Sequence, residues 1–132
     1  QFPEEMWTWK PPDGKWSIHE NLVHLADSEA NSYIRCRRFF AEPGSTVFGY
    51  EQDVWAKELK YHSLSARRAL ALFSSLRLMT YELLTIMPEE KWNNTIYHTE
   101  NGEMNFIDWL KYYENHTHIG QMNRVFAMWK RK

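Results

Sequence analysis

The sequence predicts an all-α protein: one domain over 1–132, folded as an up-and-down four-helix bundle with a short or truncated first helix. Three long segments carry apolar residues at three- and four-residue intervals, each opened by a cap signal and the first two closed by stop signals. No segment alternates polar and apolar residues over the length of a half-buried strand. The connections between the periodic segments are short, which favours antiparallel neighbours.

The opening, 1–15, holds Met6, Trp7 and Trp9 and closes on the turn Pro11-Pro12-Asp13-Gly14. Ser17 and Glu20 then form S-x-x-E, a capping box that satisfies the first orphan amides of a helix. Behind it Ile18, Leu22, Leu25, Glu29, Tyr33, Cys36 and Phe40 recur at helical spacing, predicting a helix over 17–41 that Glu42-Pro43-Gly44-Ser45 stops. A connection over 46–61 contains a short helix near 52–59. Ser63 or Ser65 caps a second long helix with the stripe Ala69, Leu70, Phe73, Leu76, Thr80, Leu83, Leu84 and Met87, and Pro88 ends it. The polar stretch through Trp92, Asn93-Asn94, His98 and Asn101-Gly102 reads as a loop, with room for one short extended piece over 93–100. Asn105 caps a third long helix running to 130. The fourth helix of a closed bundle has to come from 3–9, or a second subunit covers the groove.

Composition bounds the function. With 43% hydrophobic and 25% charged residues in 132, the chain has one globular domain's worth of core. Net charge is −1, and the two basic clusters, Arg35-Cys36-Arg37-Arg38 and Lys130-Arg131-Lys132, are not part of any nucleic-acid motif, so no nucleic-acid partner is expected. A single cysteine, Cys36, excludes an internal disulfide and fits the reducing cytoplasm. No uninterrupted apolar run approaches the roughly 18 residues of a membrane span, and no signal-peptide pattern opens the chain. The expectation is a cytoplasmic protein with no membrane partner.

The informative polar residues interrupt the apolar stripe of the last helix. Ile107, Leu110, Glu114, His118, Gln121, Val125 and Met128 share a face, apolar at both ends and polar in the middle. Glu114 and His118, at i and i+4, project about 40° apart toward one point, as a pair of metal ligands does. The competing reading is a solvated helix surface, with Trp109, Tyr113, His116, Gly120 and Ala127 forming the buried face instead. His24, two turns into the first long helix, is the natural third ligand, or else a hydrogen-bonded helix histidine. Asp27 follows three residues on, within reach of a supporting or substrate-facing role. His98 precedes the last helix and is placed to overhang a pocket. His19 and His62 read as solvated, and Cys36 as a small buried residue. G-x-S-x-G, phosphate-loop, G-x-G-x-x-G and C-x-x-C motifs are absent.

Taken in order, the segments resemble the DinB/YfiT-like family. Pro12-Asp13-Gly14-Lys15-Trp16-Ser17-Ile18, Glu20 and His24-Leu25-Ala26-Asp27-Ser28-Glu29 look like that family's second helix and its approach. Tyr50, Trp55 and Tyr61 resemble its linker, and Leu70, Phe73, Arg77, Met87-Pro88 and Trp92 its third helix and exit. His98, Gly102, Trp109-Leu110 and His118-Ile119-Gly120-Gln121 resemble its last helix. The resemblance covers nearly everything from Trp9 onward.

It implies a four-helix bundle, often dimeric, holding a divalent metal (zinc, nickel or iron) with one histidine from the second helix and an H-x-x-x-H pair from the last. Carried over, the ligands are His24 and His118, with Glu114 where the pair's first histidine stands. The resulting two-histidine, one-carboxylate set suits zinc or iron. His116 points some 200° around the helix from Glu114 and does not replace it without distortion. The family's first helix is almost absent here.

The function so implied is a metal-dependent hydrolase or thiol-dependent transferase of an unknown small molecule, with a thiol co-substrate in the second case. Asp27 and His98 would handle the proton, Trp55, Trp92 and Tyr113 would line the pocket, and the protein would be a homodimer. The alternative is a non-catalytic dimeric binding module with a degenerate metal site, which Glu114 and the short first helix favour. A weaker third reading is a partner-binding protein with an exposed tryptophan patch.

Overall fold

The computed structural model describes residues 2–115 and 119–132. Its α-helices are α1 (Ile18–Ala41), α2 (Gln52–Glu58), α3 (Ala66–Ile86), α4 (Phe106–Asn115) and α5 (Ile119–Lys130). Three short strands, β1 (Thr46–Val47), β2 (Thr95–His98) and β3 (Gly102–Asn105), and three 3-10 turns complete the described elements. Two compact units result, and α1 and α3 contribute residues to both.

The first unit contains residues 2–27, 51–72 and 119–132. The capping box forms as spaced. The amide of Ser17 donates to Glu20 Oε1 at 3.0 Å and the amide of Glu20 to Ser17 Oγ at 3.1 Å. Lys10 Nζ, 2.7 Å from the same carboxylate, ties the preceding segment to the helix start. Residues 3–9 supply a single 3-10 turn, Glu4–Met6, rather than a helix, yet Met6 is fully buried. The core is built from small residues closing on large rings: Val23, Ala26, Ala56 and Ala69 pack around Tyr61, with Trp16 and Trp55 against them. Ser65 caps α3, its Oγ accepting from the amide of Arg68 at 3.1 Å. His19 is not simply solvated: its Nε2 donates to the carbonyl of Leu64 at 2.6 Å.

The second unit contains residues 28–50 and 73–115. Cys36, Phe39, Phe40, Val47, Ile96, Phe106, Trp109 and Tyr113 form its buried core. Aromatic rings carry the packing: Phe39 and Phe106 meet edge to face at 5.4 Å, and Trp109 and Tyr113 stack at 4.9 Å. Asn105 caps α4 as its position suggests, Oδ1 accepting from the amide of Asp108 at 2.9 Å.

This unit holds the main departure from the expected loop. Residues 95–105 form a hairpin, β2 antiparallel to β3 with His98 opposite Gly102, and β1 runs parallel to β2 with Val47 opposite His98. The signal was weak because β2 has only two inward side chains, Ile96 and His98, with Tyr97 exposed between them. The glycines after α1 and at the start of β3 make the turns possible: Gly44 and Gly102 have φ of +82° and +78°, where a side chain would be strained. The amide of Gly44 then donates to the carbonyl of Thr95 at 2.7 Å, bringing the end of α1 to the sheet.

α3 is long and apolar enough to cross a membrane by length and composition, with a mean hydropathy of 1.3 over its most apolar window. Only 11% of that window is buried, while within the second unit the helix carries Arg77 ion-paired to buried Glu29, and Thr80 fully buried.

Candidate functional site

α1 presents His24 and Asp27 one turn apart in the first unit. Proper capping at Ser17 sets their phase, and Val23 and Ala26, each one residue before them, face the small-residue core. The His24 imidazole is fully buried, with the Trp16 indole centroid 4.9 Å from it. Tyr61, also fully buried, lies 6.5 Å from Trp16 centroid to centroid, and its hydroxyl donates to Asp27 Oδ2 at 2.5 Å. Burial of an imidazole beside a tyrosine-anchored carboxylate places a metal ligand type and an acid–base type on one helix turn.

A cavity of about 570 Å³ opens beside these groups, entirely within the first unit. Trp16, whose ring contacts His24, forms part of its wall, with Asn21 from α1, Gln52 and Asp53 from α2, and Arg124 and Val125 from α5. Gln121, also at the wall, follows His118 by three residues in sequence. Asp13 at the rim accepts from Arg124 Nη1 at 2.9 Å and from the amide of Lys15 at 3.0 Å, and the amide of Lys15 holds its carboxyl below the ordinary range more than the guanidinium does.

The other expected site residues distribute as follows. His118, and His116 beside it, lie outside the described residues. Glu114 is on α4 in the second unit and is exposed. On α4 the buried face is Phe106, Trp109 and Tyr113, while Ile107 is 40% exposed, so the competing face won there. The reason is volume: three ring systems fill the second core, with Leu110 half-buried against them. Among the described residues no three His, Cys, Asp or Glu side chains gather as a metal cluster.

His98 belongs to the second unit and ends β2 rather than sitting in a loop. Its Nδ1 accepts from the amides of Glu100 and Asn101 at 3.0 and 3.2 Å, closing the β2–β3 turn. Burial, reinforced by the Arg35 cation and opposed by Glu100, holds its pKa below the ordinary histidine value. Of the aromatics expected at a pocket, Trp55 packs on the first core and Trp92 and Tyr113 on the second; Trp16 takes the pocket role instead.

Sequence reasoning missed two features. Asn21, polar and 1% exposed, sits between Leu22 and Ser17 in a helix start that reads as apolar core; a buried amide one turn before His24 was the available signal. In the second unit Glu29, taken as a stripe member, is a buried carboxylate held by Arg77 Nη2 at 2.8 Å and by the hydroxyl of Tyr113. Both raise a question only the fold answers, since Glu29 and Arg77 are on different helices.

The DinB superfamily profile matches residues 1–122. The chain is 25% identical over 116 residues to the Bacillus subtilis protein named "Putative metal-dependent hydrolase YfiT", covering 86% of this chain and 65% of that one. It is 32% identical over 90 residues to the protein of the same description, BCB4264_A2719, from Bacillus cereus, covering 68% of this chain and 51% of that one. The chain thus spans about half to two thirds of the length of these curated relatives. The solved structure of YfiT, described as having an unusual four-helix bundle topology, superposes with a TM-score of 0.82 at 23% identity over 93% of this chain and 72% of that one. The four-helix-bundle fold expected from the sequence is shared with it.

Proposed function

This chain belongs to the DinB superfamily, and from that premise we propose that it is a divalent-metal-dependent hydrolase of a small molecule bound in the cavity beside His24. The single observation carrying this is the fully buried His24 imidazole set against Trp16 at the wall of an open cavity. The names of the curated relatives support metal dependence in general.

As residue types carried over from the sequence, His24, His118 and Glu114 would make a two-imidazole, one-carboxylate donor set of the kind a divalent ion takes, Glu114 and His118 standing at i and i+4. Zinc, nickel and iron all accept such donors. The ion would supply an activated water at neutral pH. The chain's own residues do the rest. Burial keeps the His24 ring fixed, and Trp16 closes one side of it against solvent. Tyr61 orients the Asp27 carboxylate, making Asp27 the better-supported of the two proton-handling candidates, since His98 uses Nδ1 to close a turn. The wider reading includes a reducing, cytoplasmic setting for the lone buried thiol of Cys36. It also includes a homodimer that covers apolar side chains left exposed on α3, such as Leu78 and Ile86 at 68% and 70%.

The test is elemental analysis of the chain purified without a metal-affinity tag, alongside His24→Ala and His118→Ala. Near-stoichiometric metal in the parent and little in either variant is expected, together with chelator-sensitive hydrolysis of ester or amide substrates. A parent that takes up no zinc, nickel or iron sinks the reading and leaves a metal-free binding module.

A further inference from the structure

We propose that the cavity of the first unit selects a small zwitterion, a molecule carrying both a carboxylate and an ammonium group, seated against Trp16. That this molecule is the substrate rests on the hydrolase reading above; its binding does not.

The first argument is a buried acceptor. Asn21 is 1% exposed and lines the cavity. Its Nδ2 donates to the carbonyl of Ser17 at 2.9 Å, which fixes which way round the amide lies. Oδ1 is therefore the group left over, and it is buried with no hydrogen-bond partner among the described residues. Such an acceptor favours a ligand that brings an N–H or O–H donor to it.

The second argument is charge. Four charged residues line the cavity: Asp13, Lys15, Asp53 and Arg124. Asp13 and Arg124 neutralise each other at 2.9 Å. Among the described residues Lys15 and Asp53 form no ion pair, so the wall offers one unmatched cation and one unmatched anion. A purely anionic ligand meets Asp53, a purely cationic one meets Lys15, and an apolar one leaves Asn21 Oδ1 without a donor. A zwitterion satisfies all three groups, and the Trp16 ring accommodates its apolar part. At about 570 Å³ the space suits a small metabolite.

Phenylalanine is the probe, titrated calorimetrically into the full chain with EDTA present so that chelation of a metal cannot contribute. Phenylalaninamide lacks the carboxylate and N-acetylphenylalanine lacks the cation. Each is expected to bind about tenfold more weakly or worse, the loss of one charged hydrogen bond. Lys15→Gln, on the surface and outside any core, weakens phenylalanine to the level of its amide while leaving the amide's own affinity unchanged. Asn21→Leu weakens all three, with circular dichroism confirming that it folds. Equal affinity for the three probes overturns the proposal, as does indifference to Lys15→Gln or no binding at millimolar concentration. A separate zinc titration keeps the two readings apart: phenylalanine binding without zinc binding overturns the metal reading alone, and the reverse overturns this one alone.

Discussion

The guanidinium of Arg77 lies 2.8 Å from the carboxylate of Glu29 inside the second unit, with the two side chains 17% and 2% exposed. Tyr113 completes the arrangement from α4: its hydroxyl donates to the other carboxylate oxygen, and its ring lies 4.3 Å from the guanidinium carbon. Three elements, α1, α3 and α4, are thereby tied through one buried charge.

Breaking that pair from one side strands the other charge. Arg77→Met is expected to lower unfolding free energy by about 3 kcal/mol or more, because Glu29 stays buried without its cation. The double variant Glu29→Met with Arg77→Met should recover most of this loss. Urea unfolding of the four proteins of the cycle measures it, and a cost below about 1 kcal/mol for Arg77→Met would mark the pair as no stronger than a surface one.

His98 makes stability pH-dependent. Its native pKa is depressed below the ordinary 6.5, chiefly by burial, so the unfolded chain takes up the proton first as pH falls. Stability from this group is complete above 6.5, declines as pH drops from there toward the native pKa, and then levels, with a slope of at most about 1.4 kcal/mol per pH unit. His98→Asn places an amide oxygen near the Nδ1 position and keeps an acceptor for the Glu100 and Asn101 amides. The variant should unfold with this slope removed; an unchanged pH profile would assign the dependence to another group.

Cys36 is fully buried and its thiol is pushed up to about 12, by burial first and by Glu29 in addition, against the opposing Arg37. The native protein should therefore resist a thiol reagent such as dithionitrobenzoate at pH 8 and react stoichiometrically in urea. Prompt labelling of the folded chain would show that the Arg residues flanking this cysteine activate it after all.

Glu114 tests the ligand set. If it binds the ion, Glu114→Ala should weaken zinc by roughly 100-fold, at or beyond the scale of losing a supporting contact, while Glu114→His, which recreates the family's histidine pair, should hold zinc at least as well as the parent. Competition with a chromophoric chelator reads both. Identical affinities in all three proteins would leave His24 and His118 without this carboxylate.

Much of the local structure was legible in the residues. The Ser17–Glu20 box, the Ser65 cap and the Asn105 cap act through hydrogen bonds that a short stretch of chain contains by itself, and Pro43-Gly44 and Pro88 stop helices by the missing donor and the fixed backbone of proline. The helix starts at residues 18, 66 and 106 follow from them. The family resemblance depended on the same order of punctuation and on His24, His118 and Gly120-Gln121 in register.

What only the tertiary structure decided was which faces are inside and which polar groups meet. Glu114 and Tyr113 are sequence neighbours with equal claims to a core by periodicity; the rings of Phe106, Trp109 and Tyr113 settled it by volume. The hairpin of 95–105 depended on β1 arriving from the far end of α1, a pairing no local pattern encodes. Tyr61 reaching Asp27, Arg77 reaching Glu29 and the cavity at Asn21 are likewise contacts between distant segments. Periodicity specifies an angle around one helix axis, whereas burial and pairing depend on what another element places opposite it, and that is set only when the chain closes on itself.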